Sequence, residues 1–264
     1  MANLEHLALL KAGAITWIEW RKKNPQISPD LSAANLQGDN LKGAFLNSVN
    51  LSKVDLGNAL LVQANLSSAD LNGANLKGAN LIEANLSAAN FSVANLSGAT
   101  LTQADLSHAN LIGSDLSGAN LKGAIIADAN LIGTDLRSAN LKDADLGTAK
   151  LTRANLCYAT LIAANLIAAD LSKANLYEAE VMGAYLYKTD LYKANLSKAH
   201  LSGAYLLRAN LSEADLSFAD LRWTNLTGAN LAGANLTGAN LKGANLKGAN
   251  LTGVNLHQTI MPDS

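Results

Sequence analysis

The stretch Gly238–Leu251 reads GANLKGANLKGANL, nearly three turns of one five-residue phrase. Extending that register in both directions gives an apolar residue at all 46 positions from Leu31 to Leu256, each Leu except Phe91, Ile126 and Val181. Two places earlier sits Ala in most repeats, with small substitutes such as Ser114, Thr134, Thr189 and Thr224. Asn or Asp usually lies between, so the unit is A-(N/D)-L-x-x. A period of five excludes an α-helical stripe, because five steps of about 100° turn a side chain by about 140° per repeat. In an extended strand Ala and Leu point the same way, but the next Ala, three residues on, would point outward. The chain must therefore turn once per repeat. Seventeen of the twenty glycines fall two places after the central Leu, where a tight turn with positive φ wants them. Short extended pieces joined by turns, with Ala and Leu always inside, describe a parallel β-coil stacked on itself, each coil pairing its backbone with its neighbours.

Unusual outward residues recur at a spacing of twenty: Arg153, Lys173 and Lys193, then Ile167, Tyr187 and Leu207, then Tyr185 and Tyr205. Four repeats per coil is the economical reading. The pattern closely resembles the pentapeptide-repeat family over about nine-tenths of the chain. That resemblance implies an all-β fold: a right-handed quadrilateral parallel β-helix, its interior filled by the central Leu and the small residue before it. Forty-six repeats would make a solenoid of about 11 to 12 coils, roughly 55 Å long at about 4.8 Å per coil.

Residues 1–27 stand outside the repeat. Leu4, Leu7, Leu10, Ala14, Trp17 and Ile18 follow helical spacing, and the helix is expected to end in the basic run Arg21–Lys23 before Pro25 and Pro29. A short amphipathic α-helical cap over the base of the column is predicted, followed by the β-helix over 28–258 and a tail over 259–264. The leader LLKAGAITWIEWRKKNPQISPDLSAANL, Leu9–Leu36, and the ending TIMPDS, Thr259–Ser264, are similar to those of cyanobacterial members of the family. No second cap is apparent, which leaves the last coil to be covered by the tail or by another copy, a homodimer through the C-terminal coil.

Twenty Lys and Arg against twenty-one Asp and Glu leave a net charge of −1, which gives no general attraction for nucleic acid or an anionic membrane. The apolar run LALLKAGAITWI, interrupted by Lys11, reads as neither signal peptide nor membrane span. With one cysteine, Cys157, no intrachain disulfide is expected, and a cytoplasmic protein without cofactor or metal is the prediction.

Catalysis needs unlike groups brought together, and no phosphate loop, nucleophile elbow, zinc-binding helix or cysteine pair is present. His6, His108, His200 and His257 are scattered and expected at the surface, as is Cys157. The Asx columns lack the Gly-Gly-x-Gly-x-Asp nonapeptide of calcium-binding rolls and are expected to bond neighbouring coils. Asp39 alone puts a carboxylate at an inward Ala position, where it must be hydrogen-bonded or partly wet.

The outside of the repeat is most irregular between Tyr158 and Tyr205, which contains all six tyrosines. Ile167, Tyr185, Tyr187, Tyr205 and Leu207, edged by Lys188 and Arg208, form a candidate protein-binding patch; an aromatic ladder that only stabilises the sheet is the alternative. Residues 150–208 carry seven basic against four acidic groups, and residues 30–148 six against eleven. The predicted function is a non-enzymatic structural and protein-interaction scaffold of unidentified partner. The alternative drawn from the resemblance is a DNA-mimic protein that acts on gyrase, which the near-neutral charge opposes, since a mimic must reproduce one negative charge per about 1.7 Å.

Overall fold

The computed structural model describes residues 2–262; Met1, Asp263 and Ser264, the ends of the predicted cap and tail, lie outside the described residues. Parallel bridges join residues twenty apart without interruption, from Asp30↔Asn50 to Asn240↔Ile260, so one circuit of the chain takes four pentapeptides. The bonding is the same at every level. Leu106 N–H donates to Ile125 O in the coil above at 2.7 Å, Asp105 N–H to Ala84 O in the coil below at 2.9 Å, and Ala109 N–H closes the turn on Leu106 O at 3.0 Å. Backbone polar groups are thus satisfied by stacking alone.

Each turn puts its second residue in the left-handed region. The seventeen glycines there have φ of 63–70°, and 29 other residues, Val93 and Trp223 among them, take 51–61° at the equivalent place. Glycine suits this position, but the coil-to-coil bonds impose it on every residue type.

Inside, the Leu and Ala columns are buried up to Leu241 and open to solvent only in the last coil, and Phe91, Ile126 and Val181 take the Leu place without breaking them. Where a hydroxyl replaces Ala it finds a carbonyl: Ser114 Oγ and Thr134 Oγ1 both donate to Leu111 O, at 2.7 and 2.8 Å, and Thr189 Oγ1 donates to Leu166 O at 2.6 Å. No buried polar side chain in these columns is left unpaired.

Outside, the Asx residues do two jobs. Asn75 Oδ1 accepts the Lys77 N–H of its own turn at 3.2 Å, while its Nδ2 donates to Asp55 Oδ1 one coil below at 2.8 Å. Asn165 bonds Asp145 in the same sense at 2.7 Å. An Asp can only accept, so Asn is the residue that links in both directions.

The N-terminal segment differs from the single helix expected. It forms α1 (Leu4–Lys11) and α2 (Ala14–Lys23), broken at Gly13, whose φ of 109° no helix contains. Asn3 caps α1, its Oδ1 accepting from Glu5 and His6 N–H at 2.9 and 3.2 Å. Leu4 is 80 % exposed, whereas Trp17 is buried, with its Nε1 donating to Phe45 O at 2.7 Å. His6, expected at the surface, is buried: its Nδ1 accepts the Asp30 N–H at 3.0 Å, tying the helical segment to the first coil. At the other end the ladder continues through Ile260, whose carbonyl accepts from Leu241 N–H at 2.7 Å, and Leu256, Ile260 and Met261 stay exposed.

Candidate protein-interaction face

Each side of the rod is centred on one Asx-position column. Three sides are sheathed mainly in Asn, Asp, Thr and Ser, but the side centred on residue 45 and every twentieth residue after it carries Phe45, Ile125, Tyr185 and Tyr205, all roughly half exposed. The first turn residue after this column is Ile167, Tyr187 and Leu207 in successive coils. The structure therefore brings together all five apolar members of the sequence-predicted patch on one side. Tyr185 and Tyr205 stack with ring centroids 5.2 Å apart and planes within 5°. Lys188 and Arg208 follow on the corner, and Lys188 Nζ lies 5.2 Å from the Tyr187 ring centroid, turned back over the face.

Above the patch, Tyr187, Leu207, Arg208, Thr227 and Lys247 line a shallow groove of ≈ 740 Å³, kept open by Gly228 and Gly248. Trp223 stands on the opposite edge of the same face with Arg222 5.2 Å from its ring centroid. Tyr187, Leu207 and Arg208 of the groove belong to the patch predicted from sequence, whereas its upper wall of Thr227, Gly228, Lys247 and Gly248 does not, and Trp223 only follows the tyrosines in sequence. Carrying the spacing of twenty on from Leu207 to Thr227 and Lys247 extends the same turn column into that wall.

The other tyrosines are tied into surface networks on other corners. Tyr158 meets Tyr177 edge-on at 5.7 Å, Tyr177 Oη accepts from Lys198 Nζ at 2.8 Å, and Lys198 also pairs with Glu178 at 3.2 Å. Tyr192 lies 5.0 Å beneath Lys193, which pairs with Glu213 at 3.1 Å. Tyr177 hydrogen-bonding and Glu178 raise the Lys198 amine above its ordinary range.

Asp39 is half-buried in a ≈ 370 Å³ cavity between the helices and the first coil, lined by Leu10, Lys11, Trp17, Leu41 and Phe45. The Cys157 thiol is half-buried and pushed up by desolvation. His108, His200 and His257 are exposed and far apart, and no group of three or more His, Cys, Asp and Glu among the described residues could hold a metal ion. No helix among the described residues is long and apolar enough to cross a membrane.

The family of pentapeptide repeats matches residues 30–186 in successive overlapping segments and residues 189–228 and 229–262 in two adjoining ones. Among solved structures, HetL, a pentapeptide repeat protein involved in heterocyst differentiation regulation from the cyanobacterium Nostoc sp. strain PCC 7120, is 42% identical with a TM-score of 0.74, covering 75% of this chain and 90% of its own. A pentapeptide repeat protein of the Arabidopsis thaliana thylakoid lumen is 34% identical over 35% of this chain and 65% of its own, with a TM-score of 0.35. QnrB1, a plasmid-mediated fluoroquinolone resistance protein, is 21% identical over 64% of this chain and 87% of its own, with a TM-score of 0.45. No curated protein matches.

Proposed function

Because the chain belongs to the pentapeptide-repeat family and shares its right-handed quadrilateral β-helix, we propose that it is a non-enzymatic scaffold that engages a protein through the face of Tyr185 and Tyr205. The observation that carries this reading is the stacking of Phe45, Ile125, Tyr185 and Tyr205, all roughly half exposed, in one Asx-position column with Ile167, Tyr187 and Leu207 beside it and a basic rim, whereas the exposed Leu60, Val93, Ile112, Tyr158 and Phe218 are scattered over other columns. Ile167, Tyr187 and Leu207 supply the apolar centre, and Lys188 and Arg208 the charged border. In this reading residues 2–27 close the base of a rod of about 11 to 12 coils, and the exposed end around Leu256, Ile260 and Met261 is left for an end-on copy.

HetL is a regulatory protein of a cyanobacterium, which supports a cyanobacterial, cytoplasmic setting and a regulatory partner for this chain. The gyrase alternative rests on a strongly acidic rod, and here only residues 30–148 lean acidic, eleven against six. Affinity capture from a cyanobacterial extract tests the proposal. Changing Tyr185, Tyr187, Tyr205 and Leu207 to Ser is expected to abolish capture while shifting Tm little, since the inner columns are untouched. Unchanged capture, with Tm lowered by the loss of cross-strand pairs worth roughly 0.2–1 kcal/mol each, would mean the ladder serves only the fold.

A further inference from the structure

The same face is electrically two-ended. Consider the column of Tyr185, the turn corner that closes it, and the second turn residue that opens it. Between residues 83 and 148 this strip carries Glu83, Asp105, Asp128, Asp143 and Asp145 and no Lys or Arg. Between 163 and 248 it carries Lys188, Arg208 and Lys247 and no acid. None of these eight takes part in the four salt bridges among the described residues, which all lie on other columns. Lys122 and Lys142 come one residue earlier in the opening turn, at the end of the adjoining side.

The two halves are also complementary in shape about one level, that of Asn165–Ala168. One coil above and below Ile167 stand Tyr187 and Gly147; two coils above and below stand Leu207 and Ala127. At the same offsets from Asn165, Tyr205 is matched with Ile125, and Tyr185 with Asp145. Two coils either side of Ala168 are Arg208 and Asp128. Tyr187 and Leu207 thus answer the small Gly147 and Ala127, Tyr205 answers Ile125, and Arg208 answers Asp128.

We propose that the occupant of this face is a second copy of the chain, packed antiparallel across a two-fold axis at Ile167. An axis lying in the interface and perpendicular to both rods sets each column against itself with its ends reversed, which yields these pairings twice over. A parallel arrangement, about an axis along the rods, would set the acidic half of one copy level with the acidic half of the other and basic level with basic, so charge selects the antiparallel one. The strip from Glu83 to Lys247 spans about eight coils, roughly 40 Å at about 4.8 Å each. One pentapeptide edge is at most about 17 Å wide. Total burial is then at most on the order of 1,300 Å², at the low end of specific interfaces. A salt-sensitive, concentration-dependent dimer follows.

This inference rests on the interaction reading of the face and identifies its partner. Sedimentation velocity on the full chain tests it. Dimer is expected to grow with concentration at low salt and to dissociate near 1 M salt, where the screening length is about 3 Å. Arg208→Asp alone and Asp128→Arg alone each place like charges together twice and are expected to raise Kd at least about tenfold. Mixing the two variants restores both pairs, so a 1:1 mixture should dimerise as the parent does. A parent that stays monomeric, single variants that dimerise unchanged, as end-on pairing would allow, or a mixture that remains monomeric overturns the proposal. If the parent is monomeric yet the four Ser changes abolish capture of another protein, self-pairing fails and the scaffold reading stands. If the Ser changes dissolve the dimer and nothing else is captured, the copy is the partner and the foreign-protein reading fails.

Discussion

Val93 and Thr148 are the β-branched residues in the left-handed turn column, with φ of 51° and 57°. The branched Cβ crowds the following carbonyl there, so relief should outweigh what Val93, 63 % exposed, contributes by burial. Val93→Gly is expected to raise stability by about 1 kcal/mol in thermal or denaturant melts; a fall of that size would mean the turn is not strained. Glycine is required more strictly under the aromatics. A Cβ at Gly243, φ 70°, would come 2.6 Å from Trp223 Cδ1, and one at Gly238 would come 2.6 Å from Phe218 Cδ1. Gly243→Ala should therefore destabilise, and Trp223→Ala should recover part of the loss in a double-mutant cycle. The glycine spacing made the turn legible in the sequence. That 29 other residues share its geometry was not, because the stacked coils impose that conformation and no local preference of the residue announces it.

At the scale of elements, helical spacing revealed the N-terminal segment but not its break, since Gly13 reads as tolerable within a helix until its φ is known. Nor does spacing show that His6 faces the first coil. Trp17 is the anchor: buried, stacked 5.7 Å from Trp20 and bonded to Phe45 O. Trp17→Ala is expected to lose about 3–5 kcal/mol if that junction is cooperative with the rod. A chain lacking residues 1–24 is expected to aggregate, and light scattering distinguishes this from a stable monomer. Acid acts on the turn carboxylates. Arg137 holds Asp135, and Arg222 holds Asp220, below the ordinary carboxylate range, in both cases chiefly through side-chain hydrogen bonds. A folded-state pKa below the unfolded one gives stability that is full above the ordinary carboxylate range, near 4, and is lost as pH falls through the lowered value. Asp135→Asn together with Asp220→Asn should flatten the acid limb of Tm against pH by lowering Tm modestly at neutral pH while leaving it little changed in acid, where the parent has already lost this contribution.

For the whole molecule, the apolar columns were legible to the residue because a five-residue period admits one stacked solution. Leu146, fully buried, shows the consequence: Leu146→Asp puts a carboxylate where no partner or water reaches, and the rod is expected to lose cooperative unfolding in calorimetry. The interaction face was half legible. Tyr185, Tyr205 and the Ile167 column declared themselves by recurrence at twenty, but the charge reversal along that side emerges only when residues distant in sequence are sorted by column. The four-step circuit also behaves like a dial. Excising residues 129–148, one full circuit, shortens the molecule and leaves every column above and below in line. Excising five residues from the same place advances everything beyond it by a quarter turn, so Phe45 and Tyr185 would look out from adjacent sides of an equally well-packed rod. Length in such a lineage can drift by whole circuits without changing what is displayed, and a single pentapeptide gained or lost rewrites the display without touching the core.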